Sequence, residues 1–70
     1  MLENIYTDRC YDIFVRENIK TYLDTNNIEY YCKGKCGCYE FKMFMTKEQY
    51  IKYMYNTSIF YEKANNLTIG

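Results

Sequence analysis

Between Thr7 and about Asp24 the side chains Tyr11, Phe14, Val15, Asn18, Ile19 and Tyr22 recur every three or four positions, and Arg9, Arg16, Glu17 and Lys20 fall opposite them. That period predicts an amphipathic helix. Thr7 has the chemistry of its N-cap, and Asp8 suits the positive end of the helix dipole. Asp12 and Arg16, one turn apart, predict an ion pair on the solvated side. Thr25-Asn26-Asn27 supplies the stop, because Asn tolerates the left-handed conformation that a helix terminus often needs. Ahead of this helix, residues 2 to 6 alternate well enough to predict a short first strand.

The period then changes from 3.6 to 2. Ile28, Tyr30 and Cys32, and after them Tyr39, Phe41, Met43 and Met45, alternate with more polar neighbours, which predicts two strands over 28 to 33 and 38 to 45 joined as a hairpin. A slip of one residue would send one apolar row into water, so only registers that keep both rows on one face are admissible. A four-residue loop from Gly34 to Gly37 sets Tyr30 against Phe41, Ile28 against Met43 and Glu29 against Lys42. A two-residue Gly34-Lys35 turn keeps the faces but sets Glu29 against Glu40, so the longer loop is expected.

Thr46-Lys47-Glu48-Gln49 is a capping-box sequence opening a second helix, with Tyr50, Ile51, Met54 and Tyr55 as its apolar stripe. Continued past Asn56, that helix would put Ile59 and Phe60 on its polar side. The expected end is therefore near Asn56, with a last strand over Ser58 to Lys63, a turn at Asn65-Asn66 and a tail from Leu67. Residues 1–70 then form a single small α+β domain of order β-α-β-β-α-(β). This is the order of a ferredoxin-like plait, a small antiparallel sheet with both helices packed on one face.

Composition restricts what such a domain does. Nine basic and nine acidic residues cancel, and the longest basic cluster is Lys33 with Lys35. No strong field attracts phosphate backbones or anionic lipid, so neither nucleic acid nor a membrane is the expected partner. Met1-Leu2-Glu3-Asn4 lacks the basic segment and apolar run of a secretory signal, which predicts a cytoplasmic location and reduced thiols. Ten tyrosines and four phenylalanines in 70 residues supply the large buried area that a small core needs. Half of the chain is Asn, Ile, Lys, Tyr or Phe, residues with AT-rich codons. The expected source is an AT-rich genome, such as that of a low-GC bacterium or its phage.

Three of the four cysteines lie in Cys32-Lys33-Gly34-Lys35-Cys36-Gly37-Cys38. A structural zinc site would have to gather Cys10, Cys32, Cys36 and Cys38, since the chain has no histidine. The hairpin opposes this, sending Cys32 to the helix-covered face and Cys38 to the other, so no metal and no cofactor is expected. Tyr6-Thr7-Asp8-Arg9-Cys10 ahead of a helix resembles the opening of a glutaredoxin, yet there is no C-x-x-C and no proline for that fold's cis-proline loop. Without histidine, a glycine-rich phosphate loop or a marked carboxylate pair, no catalytic residues are expected.

The face of the sheet away from the helices would present Tyr31, Glu40, Lys42 and Phe44, with Tyr53 and Phe60 adding to it. Aromatic side chains among a few charges are the mixture enriched at protein contact surfaces. RNA-recognition modules share this element order, but Cys38-Tyr39-Glu40-Phe41 lacks their Gly-aromatic signature and Glu40 repels phosphate. The expected function is that of a small, non-enzymatic, tyrosine-rich domain that binds a larger protein. A phage or mobile-element modulator that inhibits or redirects a host or defence protein has this character. Pairing of two such faces as a homodimer would bury the same residues. The alternative expectation is a zinc-stabilised adaptor for nucleic acid or protein built on the cysteine hairpin.

Overall fold

Asp12, rather than Thr7, begins the first helix. In the computed structural model, which describes residues 3–35 and 37–69, the chain runs β1 (Asn4–Cys10), α1 (Ile13–Thr25), β2 (Glu29–Lys35), β3 (Cys38–Met45) and α2 (Lys47–Ile69). The Asp12 carboxylate accepts the Val15 N–H at 3.1 Å, satisfying one of the donors that a helix start leaves unpaired. Thr7 and Asp8 instead belong to a strand longer than residues 2 to 6 would give, because all seven residues of β1 pair with β3. The expected Asp12–Arg16 ion pair is replaced by Arg16–Glu17 at 2.7 Å, since Asp12 is spent on the cap.

The end of α1 follows the expectation from Asn. Asn27 has φ +57°, the Asn27 N–H donates to the Asp24 carbonyl at 3.2 Å and the Ile28 N–H to the Leu23 carbonyl at 2.9 Å. That pair of bonds is a Schellman motif, and its usual apolar clasp is present as Ile28 and Leu23 in the same buried cluster.

The sheet has three antiparallel strands in the order β1-β3-β2. The hairpin closes with Lys35 opposite Cys38, tighter than the four-residue loop and different from the Gly34-Lys35 turn. Gly37 supplies the turn's positive φ of +83°, where a side chain would be strained. The register sets Tyr30 against Met43, Cys32 against Phe41 and Lys33 against Glu40. Both apolar rows still share a face, and opposite charges still meet, now Lys33 with Glu40 in place of Glu29 with Lys42. Cys36 lies outside the described residues.

Both helices pack on the face that carries Phe41, Met43 and Met45. These three side chains are fully buried with Cys10, Val15, Ile19, Leu23 and Tyr53. At the edge of this layer the Tyr39 ring lies 3.2 Å from where a Cβ on Gly34 would stand, and the Arg16 guanidinium sits 4.7 Å from the ring centroid on the helix side.

The expected final strand over Ser58 to Lys63 does not form, because α2 continues through it. The capping box opens α2 as its sequence predicts: Thr46 N–H donates to Gln49 Oε1 at 2.9 Å, and Gln49 N–H to Thr46 Oγ1 at 3.2 Å. The buried stripe, however, is Tyr50, Tyr53, Thr57, Phe60 and Ala64, each buried or half-buried. On that stripe Phe60 faces the core and nothing obliges the helix to stop. The architecture is α+β with three strands and two helices, one strand short of the ferredoxin-like order.

Candidate functional site

Alternation along β3 divides the molecule. Tyr39, Phe41, Met43 and Met45 point to the helices, whereas Cys38, Glu40, Lys42 and Phe44 point the other way. Cross-strand pairing places Ile5, Thr7 and Arg9 of β1 and Glu29, Tyr31 and Lys33 of β2 on that second face. Among the described residues no element covers it.

The open face is ordered in rows across the strands. Phe44 lies between Ile5 and Glu29, Lys42 between Thr7 and Tyr31, and Glu40 between Arg9 and Lys33. The Tyr31 ring meets Phe44 edge-on, with centroids 5.8 Å apart and planes at 83°, a favourable arrangement for two rings that water only partly covers. Ile5 is 61% exposed and Tyr31 60% exposed. One end of the face is thus apolar. At the other end Arg9 Nε donates to Glu40 Oε2 at 3.2 Å, and this bond holds the guanidinium's proton above its ordinary strength. Between the two ends is an open depression of about 380 Å³ lined by Tyr31, Cys32, Lys33, Glu40 and Lys42.

Of the expected contact residues, Tyr31, Glu40, Lys42 and Phe44 come together on this face. Tyr53 and Phe60 do not. Tyr53 is 1% exposed and its hydroxyl donates to Asp8 Oδ2 at 2.7 Å; burial first, and then this bond, push the phenol's pKa far above its ordinary value. Phe60 packs against the core. The sequence also gave no sign that Ile5, Thr7 and Arg9 join the face, because a strand ending at Tyr6 leaves Arg9 on a helix.

The sulfurs are divided between the two faces as expected: Cys10 and Cys32 are paired with inward-facing Tyr39 and Phe41, and Cys38 lies on the open side. The described cysteines are free thiols. Among the described residues no three Cys, Asp or Glu side chains converge on a point that a cation would occupy. Burial pushes the Cys10 thiol up to about 11, which leaves it protonated and poorly nucleophilic at neutral pH.

No helix among the described residues is long and apolar enough to cross a membrane. The chain matches no family model, no curated protein and no solved structure. Its surface chemistry therefore carries the functional argument alone.

Proposed function

We propose that this chain is a non-enzymatic binding module whose open sheet face seats the surface of a larger protein. The observation that supports the reading is the Phe44–Tyr31 pair, flanked by exposed Ile5 on a face with no covering element among the described residues. Two large rings held rigidly by strands lose little entropy on contact, which is the economy that makes aromatics frequent hot spots. Lys33 and Lys42 border the depression beside Tyr31 and Glu40 is engaged by Arg9, so the fitting partner is an apolar patch that is acidic where it meets the depression and carries no acid opposite Glu29. AT-rich composition suits a phage or mobile-element modulator acting on a host or defence protein in the cytoplasm.

The test is site-specific photocrosslinking from position 44 in a low-GC bacterial host, with the wild type and a Tyr31→Ala, Phe44→Ala variant used in parallel affinity capture. A partner crosslinked from the sheet face and lost in the variant is the expected result. Equal capture by both chains would remove this face from consideration.

A further inference from the structure

The two edges of the sheet are not alike. β1 and β2 each pair only with β3, so alternate residues of both strands turn their backbone groups away from the sheet. On β1 one such residue is Arg9, and the chain itself occupies it: the Arg9 N–H donates to Asp8 Oδ1 at 2.8 Å and its carbonyl accepts the Tyr61 hydroxyl at 3.4 Å. Because Arg9 turns outward, Glu40 opposite it turns its own backbone groups toward β2, where it pairs with Lys33. Lys33, Tyr31 and Glu29 therefore bond to β3, and Tyr30, Cys32 and Gly34 face the free edge of β2. Among the described residues nothing bonds to these three backbones from that side.

Successive outward rungs without partners, on a strand held in place, are a template for another strand. The strand is held from the helix side: Tyr30 and Cys32 pack against the core, and the Tyr30 ring lies 6.1 Å from that of Phe41. Toward the open face β2 carries Glu29, Tyr31 and Lys33, all exposed. Glu29 lies opposite Phe44, and Lys33 opposite Glu40, whose carboxylate is bonded to Arg9. Among the described residues neither Glu29 nor Lys33 belongs to an ion pair. An acid and a base thus stand two positions before and after Tyr31, unused by the chain that carries them.

We infer that the free edge of β2 is a self-association surface, and that its occupant is β2 of a second copy, antiparallel and related by a two-fold axis perpendicular to the sheet at Tyr31. Charge argues for a second copy: reversing the strand about Tyr31 carries Glu29 onto Lys33, so one acid and one base make both ion pairs of an isologous contact. In that register Tyr30 and the second copy's Cys32 exchange both backbone bonds, and symmetry repeats the exchange. Tyr31 lies beside the second copy's Tyr31. This pair and the two Glu29–Lys33 pairs fall on the rungs without hydrogen bonds, where side chains approach most closely. Other centres lose the match. Centring on Tyr30 sets Glu29 against Tyr31, and centring on Lys33 sets two lysines together. Centring on Cys32 brings Glu29 to the second copy's Lys35 but leaves Lys33 against Tyr31. The result is a continuous six-stranded sheet with the helices of both copies on one side and both bare edges capped. The contact runs through the edge rather than the face around Phe44, so it does not rest on the function proposed above.

Sedimentation equilibrium and amide hydrogen exchange of the full chain read the outcome. At high micromolar concentration wild type is expected at twice its 8.6 kDa mass. The amides of Tyr30 and Cys32 should exchange more slowly as concentration rises, and that of Thr7, on the other edge, should not change; this measurement stands even if a variant fails to fold. Glu29→Lys and Lys33→Glu each turn two attractive contacts into two repulsive ones. Either should weaken self-association on the order of tenfold or more, with the circular dichroism of a folded chain retained. An equimolar mixture of the two single variants should recover the dimer as a heterodimer, because every acid at the contact then meets a base. Phe44→Ala, in the face proposed to bind a larger protein, should leave the dimer intact. A monomeric wild type, exchange at Tyr30 and Cys32 that ignores concentration, a dimer that survives Lys33→Glu, a mixture that fails to recover, or dissociation by Phe44→Ala would each overturn the assignment.

Discussion

The two faces of the sheet are built from the same strands and differ in almost every other respect. On the inner face Phe41, Met43 and Met45 lose all contact with water. On the outer face, one residue away along β3, Phe44 is half-buried and meets Tyr31 edge-on. The inner row, packed with Val15, Ile19, Leu23 and Tyr53 of the helices, belongs to the apolar burial that opposes chain entropy in so small a domain. The outer row contributes little to folding and is available for contact. Equal hydrophobicity in adjacent residues thus has opposite consequences, decided by which side the helices occupy.

Substitutions that move residues between these categories test the contrast. Phe41→Ala should cost about 3–5 kcal/mol in urea unfolding, enough to unfold a marginal domain. A smaller loss would mean that the inner face is loosely packed. Alkaline pH probes the same layer without mutation. Cys10 has its pKa raised by burial from 9.0 to about 11, so its contribution is complete below about pH 9 and is lost as pH rises through about 11. The loss is on the order of 2 kcal/mol by linkage. Tyr61, raised to about 12 by burial, extends the fall to higher pH with the same sign. Urea midpoints compared across that window should show a shallower decline for Cys10→Ala.

Tyr53→Phe removes the hydroxyl that reaches Asp8 and should lose about 2 kcal/mol, the usual range for a hydrogen bond to a charged group. An unchanged midpoint would show that Asp8 finds water at no cost. Thr46→Ala breaks the capping box and should cost about 1 kcal/mol, read in thermal unfolding by far-UV circular dichroism. At the bottom of the series, Tyr31→Ala, Phe44→Ala should shift stability by about 1 kcal/mol or less. If this pair destabilises as strongly as Phe41→Ala, the outer face belongs to the core and the contrast between the faces fails.

The predictable elements of the fold are those governed by chemistry a few residues long. Thr46 and Gln49 complete their capping box, Asn27 takes the left-handed turn that ends α1, and the alternation of β2 and β3 sends Cys32 and Cys38 to opposite faces. Four of the open-face residues follow from that alternation alone. The errors arise where several local solutions are nearly equal. Both Thr7 and Asp12 are competent N-caps, and only the pairing of β1 with all of β3 chooses between them. Likewise α2 has two apolar stripes one position apart, so a stripe through Ile51, Met54 and Tyr55 reads as well as the one through Tyr53, Thr57 and Phe60. Choosing the first makes Phe60 look misplaced and calls for a strand that is not there.

By itself, then, the sequence determined the order of the first five elements, the segregation of polar and apolar residues within each strand, and the caps, because propensity, period and side-chain hydrogen bonds act within a turn or a strand. Tertiary structure decided how far β1 extends, which stripe of α2 is buried and where the hairpin turns. Those choices depend on contacts between residues remote in the chain, such as Asp8 with Tyr53 and Tyr6 with Tyr50. A tyrosine is equally suited to a core or to a wet surface, and in a chain with ten of them only the partner across the fold settles the matter.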